Sequence, residues 1–261
     1  MRARYFLGID AGSTASKCVI VDSEGEIAGF GLERSGAGTQ GPMLAIQAAL
    51  DKAGITKDDI ERSCSTGYGR NIIEGADLRM SELSCHARGA AVLFPGAHTI
   101  VDIGGQDAKV LRVDGAGRLE NFVMNDKCAA GTGRFLDVMA SVFGCQVGHL
   151  AQYDKQAQKI SSISSTCTVF AESEVISKLA SGETIPDVVA GIHASVAERT
   201  YGLMRRAGVQ PAVAMTGGVA LNDGLRARLE ERVGQPIMTS PLAQLNGALG
   251  AAHFAREKTP N

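Results

Sequence analysis

Shifting the chain by 92 residues lays residues 10–30 on residues 102–122 without a gap. Asp10, Gly12, Lys17, Val21, Asp22, Gly25 and Phe30 fall on Asp102, Gly104, Lys109, Val113, Asp114, Gly117 and Phe122. These are 7 identities in 21 positions, where composition alone gives unrelated segments about one or two. Chance likeness of two β-meanders is the alternative, and the gapless register argues against it. Two copies of a strand–glycine turn–strand–strand unit predict two similar lobes whose glycine turns meet at a cleft. The expected division is an N-terminal lobe over 1–95 and a C-terminal lobe over 96–261.

Short β-rich runs at 5–10, 17–22 and 27–33 are separated by glycine-containing turns and read as strands. Pro42 stands at a favourable first-turn position for a helix reaching about Gly54. A strand near 62–66 and a helix near 81–94 follow. The strand pattern then restarts at 98–103, 108–113 and 119–124. The remainder reads as mainly helical with one clear strand at 212–216.

Composition narrows the function. The 261 residues are 44% hydrophobic and 21% charged, with a formal net charge of −2. That apolar content excludes disorder, and the sign of the charge excludes a nucleic-acid binder held by bulk positive charge. No apolar stretch approaches the ~20 residues needed to span a bilayer, and Asp10 interrupts the N-terminus before a signal-peptide core forms. A cytoplasmic protein, off the membrane, is expected. Glycine is abundant at 32 residues while aromatics are only 5%, which suggests several places where backbone approaches a ligand closely.

Each repeat carries an Asp at a strand end followed by small residues: Asp10-Ala11-Gly12-Ser13-Thr14 and Asp102-Ile103-Gly104-Gly105-Gln106-Asp107. Glycines let backbone N–H groups turn towards phosphate oxygens. Ser13, Thr14 and Lys17 add donors, while Asp10, Asp102 and Asp107 suit Mg²⁺, held directly or through its waters. A third pair, Gly217-Gly218 in Met215–Ala220, ends a strand and opens a helix, where close backbone approach suits an adenosine. No GxxxxGK[ST] string exists. The GxGxxG string at 36–41 follows the third strand and lacks an acid-ended strand about 20 residues on, so it reads as a flexible connection and not a dinucleotide site.

The segment Gly8–Lys17 resembles the first phosphate motif of the acetate and sugar kinase, heat-shock chaperone and actin superfamily, an α/β fold of two duplicated, actin-like ATPase lobes. Three further strings narrow the likeness: Asn125–Phe135 around Cys128, Ser164–Glu174 around Cys167, and Met215–Asn222. Over essentially its whole length the chain resembles the activators of 2-hydroxyacyl-CoA dehydratases. The resemblance implies a homodimeric ATPase that carries one 4Fe–4S cluster between subunits, bound by Cys128 and Cys167. It would use ATP hydrolysis to drive one low-potential electron, received from ferredoxin or flavodoxin, into a partner dehydratase. It places nucleotide contacts, for ATP/ADP, on Gly12, Ser13, Thr14, Ala15, Ser16 and Lys17, on Gly104 to Asp107, on Gly217, Gly218, Val219 and Ala220, and on Gln244. Asp10, Asp102, Gln106 and Asp107 are then the expected catalytic group, arranging Mg²⁺ and the attacking water.

The residues support a shared cluster in their own right, although spacing alone leaves both cysteines equally open to being core thiols. A cubane takes four thiolates, one chain offers two in similar settings, and a two-fold dimer doubles them. Both precede predicted helices, 134–143 and 169–180, whose N-termini favour an anionic cluster. Cys18 reads as a core thiol, whereas Cys64, Cys85 and Cys145 are ambiguous. The five histidines are scattered without metal spacing. Alternatives are the ATPase subunit of a benzoyl-CoA reductase, the reductase of a double-cubane cluster protein, and a small-molecule kinase of the superfamily.

Overall fold

The computed structural model describes residues 4–164 and 167–258, so Ser165 and Thr166 of the second cysteine string lie outside the described residues. By its contacts the chain divides into two compact units. One comprises the chain up to Ala97, Val113–Glu120 and everything from Leu242 onward; the other comprises His98–Arg112 and Asn121–Pro241. A single cut after residue 95 does not follow this packing, because the C-terminal helix (Asn246–Glu257) folds back onto the first unit.

In the first unit, β1 (Tyr5–Ala11), β2 (Ser16–Val21), β3 (Ile27–Glu33), β4 (Ile60–Thr66) and β5 (Leu78–Arg79) form a sheet in the order β3-β2-β1-β4-β5. β1 is antiparallel to β2 and parallel to β4. Its residues Phe6, Leu7, Ile9 and Ala11 are all buried, the near-continuous apolar run of a strand covered on both faces. On one face Phe6, Val19 and Cys64 pack with Cys85 of α2 (Glu82–Leu93) and with Ala248, Leu249 and Ala252 of the C-terminal helix. On the other, Leu7, Ile9 and Ile20 pack with Ala45, Ala49 and Leu50 of α1 (Gly41–Ala53). A β-carbon at Gly8 would stand 2.0 Å from the Ala248 carbonyl oxygen, so this glycine lets the C-terminal helix rest directly on β1. α2 starts where the Ser81 hydroxyl accepts the Ser84 N–H at 3.1 Å, a side-chain cap of the usual kind.

The second unit holds β6 (Thr99–Ile103), β7 (Ala108–Val113), β8 (Leu119–Asn125), β9 (Val213–Thr216) and β10 (Ile237–Met238), ordered β10-β9-β6-β7-β8. Read backwards, this is the order of the first sheet, with β6 again antiparallel to its successor and parallel to β9. The likeness seen over 21 residues of sequence therefore extends to five strands. The helices are α3 (Gly133–Val142), α4 (Leu150–Lys155), α5 (Thr168–Ala180), α6 (Ile185–Ala207) and α7 (Asp223–Val233). Val188, Ile192, Val196 and Met204 form the buried stripe of α6, at the spacing of one helical face.

The expected strands and long helices form, while two-residue β5 and β10 and short α4 are too brief to give a periodic signal. The 36–41 string is a connection, and it is held: Ala37 N–H donates to Gly12 O at 2.9 Å, and a β-carbon at Gly36 would meet Ser13 O at 2.1 Å.

His253, on the C-terminal helix, is buried with no hydrogen-bond partner for either ring nitrogen among the described residues. Burial, then the charges of Arg88 and Arg256, lower its pKa from 6.5 to about 4. A depressed folded-state value means that the unfolded chain takes up the proton first, so stability falls as the pH drops from 6.5 towards about 4. In acid titrations followed by circular dichroism, H253L is expected to flatten this loss; an unchanged profile would contradict the assignment.

Candidate functional site

The first glycine turn joins β1 to β2, where antiparallel pairing sets Asp10 opposite Lys17 and Ala11 opposite Ser16. Lys17 Nζ lies 3.0 Å from Asp10 Oδ2, and Asp10 is buried. Gly67 and Gly247 crowd the same carboxylate: a β-carbon on the first would stand 2.5 Å from Oδ1, and one on the second 3.1 Å from Oδ2. Gly247 lies in the first turn of the C-terminal helix, so the Asp10 charge faces the positive end of that helix dipole. Gln244 sits half-buried just before that helix, in the short 3₁₀ turn Ala243–Leu245. Ser13 and Thr14 are exposed, the Gly12 N–H closes the turn on Ala15 O at 3.2 Å, and Ala15 is buried. Ser16 points away, its hydroxyl donating to Ser35 O at 2.8 Å.

The second turn repeats this chemistry at greater depth. Asp102 pairs with Lys109 across β6 and β7, and Lys109 Nζ lies 3.3 Å from Asp102 Oδ1 and 2.8 Å from Asp107 Oδ2. All three side chains are buried, and Thr216 Oγ1 donates to Asp102 Oδ2 at 2.7 Å. Gly104 N–H closes the turn on Asp107 O at 2.9 Å, and Gln106 is exposed. Gly217 has φ +84°, and a β-carbon there would stand 2.3 Å from Ile103 O. It starts the 3₁₀ turn Gly218–Leu221, in which Val219 and Ala220 are buried and Gly218 is exposed.

Lys109 and Thr216 were not among the residues expected here. The repeat itself carried the signal for Lys109, which falls on Lys17 in the 92-residue shift. Removing the ammonium would leave two buried carboxylates side by side, a change that costs about 3–5 kcal/mol where one partner of a buried pair is lost. Lys109→Met is expected to lower Tm by about 6–20 °C at about 2–4 °C per kcal/mol, read by calorimetry; a melting curve like the wild type would contradict the pairing.

Asn222, which caps α7 by accepting Leu225 N–H, anchors the end of the third glycine segment. Its amide nitrogen therefore donates to His193 Nε2 at 3.1 Å, which leaves Nδ1–H to donate to Asp154 Oδ2 at 2.7 Å. Burial alone would raise the Asp154 carboxyl, but its bonds to His193 and Arg228 hold it below the ordinary value.

The two conspicuous cysteines differ from the rest: Cys18, Cys64 and Cys85 are buried, Cys145 is half-buried, and Cys128 and Cys167 are exposed. Cys128 follows β8 in a loop pinned by Asn125, whose amide donates to Cys128 O at 2.9 Å and accepts from Cys128 N–H at 3.2 Å. Cys167 is the residue before α5, and Glu174 of that helix accepts Ser164 N–H at 3.0 Å. Val169, Phe170 and Ile176 are exposed on α5, as are Phe122 and Met124 on β8. Sequence reasoning missed these apolar groups, because a strand or helix residue gives no sign that its own face is left uncovered. Among the described residues, no group of three or more His, Cys, Asp or Glu side chains could hold a metal.

The cysteine loop and the second turn are joined directly. α3 begins five residues after Cys128, and its Gly133 and Arg134 N–H groups donate to Gly104 O and Gly105 O, each at 2.8 Å.

The duplicated α/β architecture of two mixed sheets is the fold of the actin-like ATPases and sugar kinases. The chain belongs to the BadF/BadG/BcrA/BcrD ATPase family, whose model matches residues 7–255. It is 56% identical over 255 residues to the (R)-2-hydroxyglutaryl-CoA dehydratase activating ATPase of Acidaminococcus fermentans, covering 97% of this chain and 98% of that protein. The crystal structure of that dehydratase's component A superposes with a TM-score of 0.94, covering 97% of this chain and 98% of that one. The activator of the 2-hydroxyisocaproyl-CoA dehydratase from Clostridium difficile, solved with bound ADPNP, is 50% identical with a TM-score of 0.94 over 97% of this chain and 95% of its own. A glucokinase of the ROK family from Streptomyces griseus, at 15% identity and TM-score 0.57 over 97% and 99% of the two chains, shares the fold alone. No helix among the described residues is long and apolar enough to cross a membrane.

Proposed function

We propose that this chain is the ATP-dependent activator of a 2-hydroxyacyl-CoA dehydratase, acting as a homodimer with one 4Fe–4S cluster held by Cys128 and Cys167 of both copies. The observation that carries this reading is the pair of hydrogen bonds from Gly133 and Arg134 to the carbonyls of Gly104 and Gly105. Whatever the second turn does on binding and hydrolysing a nucleotide acts on the start of α3 and so on the Cys128 loop. Backbone hydrogen bonds at a helix start transmit displacement as a rigid body, because the helix moves with the groups that its amides hold.

MgATP is taken by the glycine turns. Ser13, Thr14 and Lys17 meet phosphate oxygens, Gly104 and Gly105 supply close backbone approach, and the Gly217–Ala220 segment and Gln244 receive the nucleoside. Asp10 of the first turn and Asp102 and Asp107 of the second would each meet the Mg²⁺ of the nucleotide through its waters, and exposed Gln106 would orient the attacking water. Lys17 pairs with Asp10, and Lys109 with Asp102 and Asp107, so each turn brings a cation to its own carboxylates.

Two exposed thiols per chain fit the donor set of a cubane once two copies meet. The cluster, when bound, supplies one electron at low potential, received from ferredoxin or flavodoxin. Val169 and Phe170, in the first turn of α5 after Cys167, are exposed and support a protein contact surface at that helix start, since exposed apolar groups rimming a site mark contacts.

The test mixes the anaerobically prepared protein with a 2-hydroxyacyl-CoA dehydratase, reduced ferredoxin and MgATP. Enoyl-CoA formation is expected only with ATP. Equal rates with ADP in its place would contradict the coupling.

A further inference from the structure

The 3₁₀ turn Gly218–Leu221 is held at both ends. Before it, Gly217 lies so close to β6 that a β-carbon would stand 2.3 Å from Ile103 O. After it, Asn222 commits its side-chain oxygen to Leu225 N–H at 3.0 Å, so its amide nitrogen is the atom that meets His193 Nε2 at 3.1 Å. His193, on α6, is wholly buried, and its Nδ1 meets Asp154 Oδ2 of α4 at 2.7 Å. Arg228, further along α7, returns to Asp154 Oδ1 at 2.6 Å. The circuit begins and ends on α7 and closes through α6 and α4. Glycine at 224 belongs to it, since a β-carbon there would stand 3.0 Å from His193 Nδ1 and 3.1 Å from Asp154 Oδ2. A buried network satisfied in this way rigidifies what it touches. Moving Asn222 away would leave a buried ring nitrogen without its donor, which costs free energy.

We propose that Asn222 and His193 are positioning residues for the nucleoside, fixing the far end of the Gly218–Leu221 turn so that exposed Gly218 stays where an adenosine is received. This rests on the reading of the preceding subsection that places the nucleoside at Gly217–Ala220. The phosphate end is organised by other bonds, those joining Lys109 to Asp102 and Asp107. Loss of the network therefore weakens ATP binding without slowing the chemical step, the pattern of an interaction made equally in ground and transition states.

The experiment measures ADPNP affinity by calorimetry, KM and kcat for ATP hydrolysis, and Tm, in wild type, N222S, H193N, H193Q and G218V. Serine still caps α7 but is too short to reach His193. N222S is expected to bind ADPNP about tenfold more weakly, the loss of about one buried hydrogen bond, with KM raised in proportion and kcat within about twofold of the wild type. Asparagine at 193 can replace Nδ1 towards Asp154 but falls short of Asn222, whereas glutamine reaches Asn222. H193N should therefore behave like N222S, and H193Q should recover most of the affinity although both variants lower Tm. N222S and H193N that bind ADPNP as tightly as the wild type, whatever their Tm, would overturn the inference. The nucleoside reading is tested separately by G218V, which sets a side chain on the exposed residue of the turn. Weak ADPNP binding by G218V beside wild-type binding by N222S and H193N would leave that reading standing without the inference. Wild-type affinity in G218V would overturn the reading itself, and the inference with it.

Discussion

Replacing Asp102 with alanine is expected to reduce ATP hydrolysis at least about a hundredfold, with dehydratase activation falling in the same proportion. Asp102 sits at the end of β6, bonded to both Lys109 and the Thr216 hydroxyl. On the proposed reading its removal takes away the charge that organises the metal, and it leaves a buried threonine hydroxyl and a lysine each short of one partner. Because the fold itself could suffer, Asp102→Asn is the companion variant: it keeps the volume and an acceptor for Thr216 but not the charge. Both variants should still melt cooperatively, and the asparagine variant should lie closer to the wild type in Tm. The measurement is phosphate release alongside enoyl-CoA formation in one preparation. Activation that survives the loss of hydrolysis would contradict the coupling between them.

The second large effect concerns the thiols. Cys128→Ser is expected to lose the cluster and all dehydratase activation while nucleotide binding stays as in the wild type. Serine preserves the backbone bonds by which Asn125 pins the loop, since those bonds use only the main chain of residue 128. Cys128 is also exposed, so the substitution leaves no cavity in a core. Iron analysis and ADPNP titration separate the two functions. A serine variant that activates the dehydratase as well as the wild type would reject the ligand role. Cys18, by contrast, is wholly buried beside the Asp10 turn, where burial pushes its thiol far above the usual range; Cys18→Ser should disturb folding and leave cluster chemistry alone.

Much of this arrangement was legible in the sequence because it is local. The Asp–glycine turns lie between paired strands of fixed length, so a 92-residue shift that matches Asp10 with Asp102 also matches the hairpins that hold them. The same shift matches Lys17 with Lys109, so the second ammonium is legible from the register of the repeat. Three features were not legible. Thr216 reaches Asp102 across 114 residues of chain, and no local pattern announces a partner that distant. The return of the C-terminal helix to the first unit depends on glycine at position 8, where the missing side chain lets a helix approach; the sequence shows a glycine in a strand but not what lies against it. The bonds from Asn222 to His193 and from His193 to Asp154 span 29 and 39 residues of chain, and each of the three reads in sequence as an ordinary polar residue of its own segment.

Iron content and assembly state, measured on one anaerobic preparation, test the central claim most directly. Native mass spectrometry combined with iron and sulfide analysis should find a two-chain species carrying about four irons and four sulfides, with Cys128→Ser giving the apoprotein. A wild-type protein that remains free of iron after reconstitution, or one in which each separate chain binds a full cluster, would contradict it.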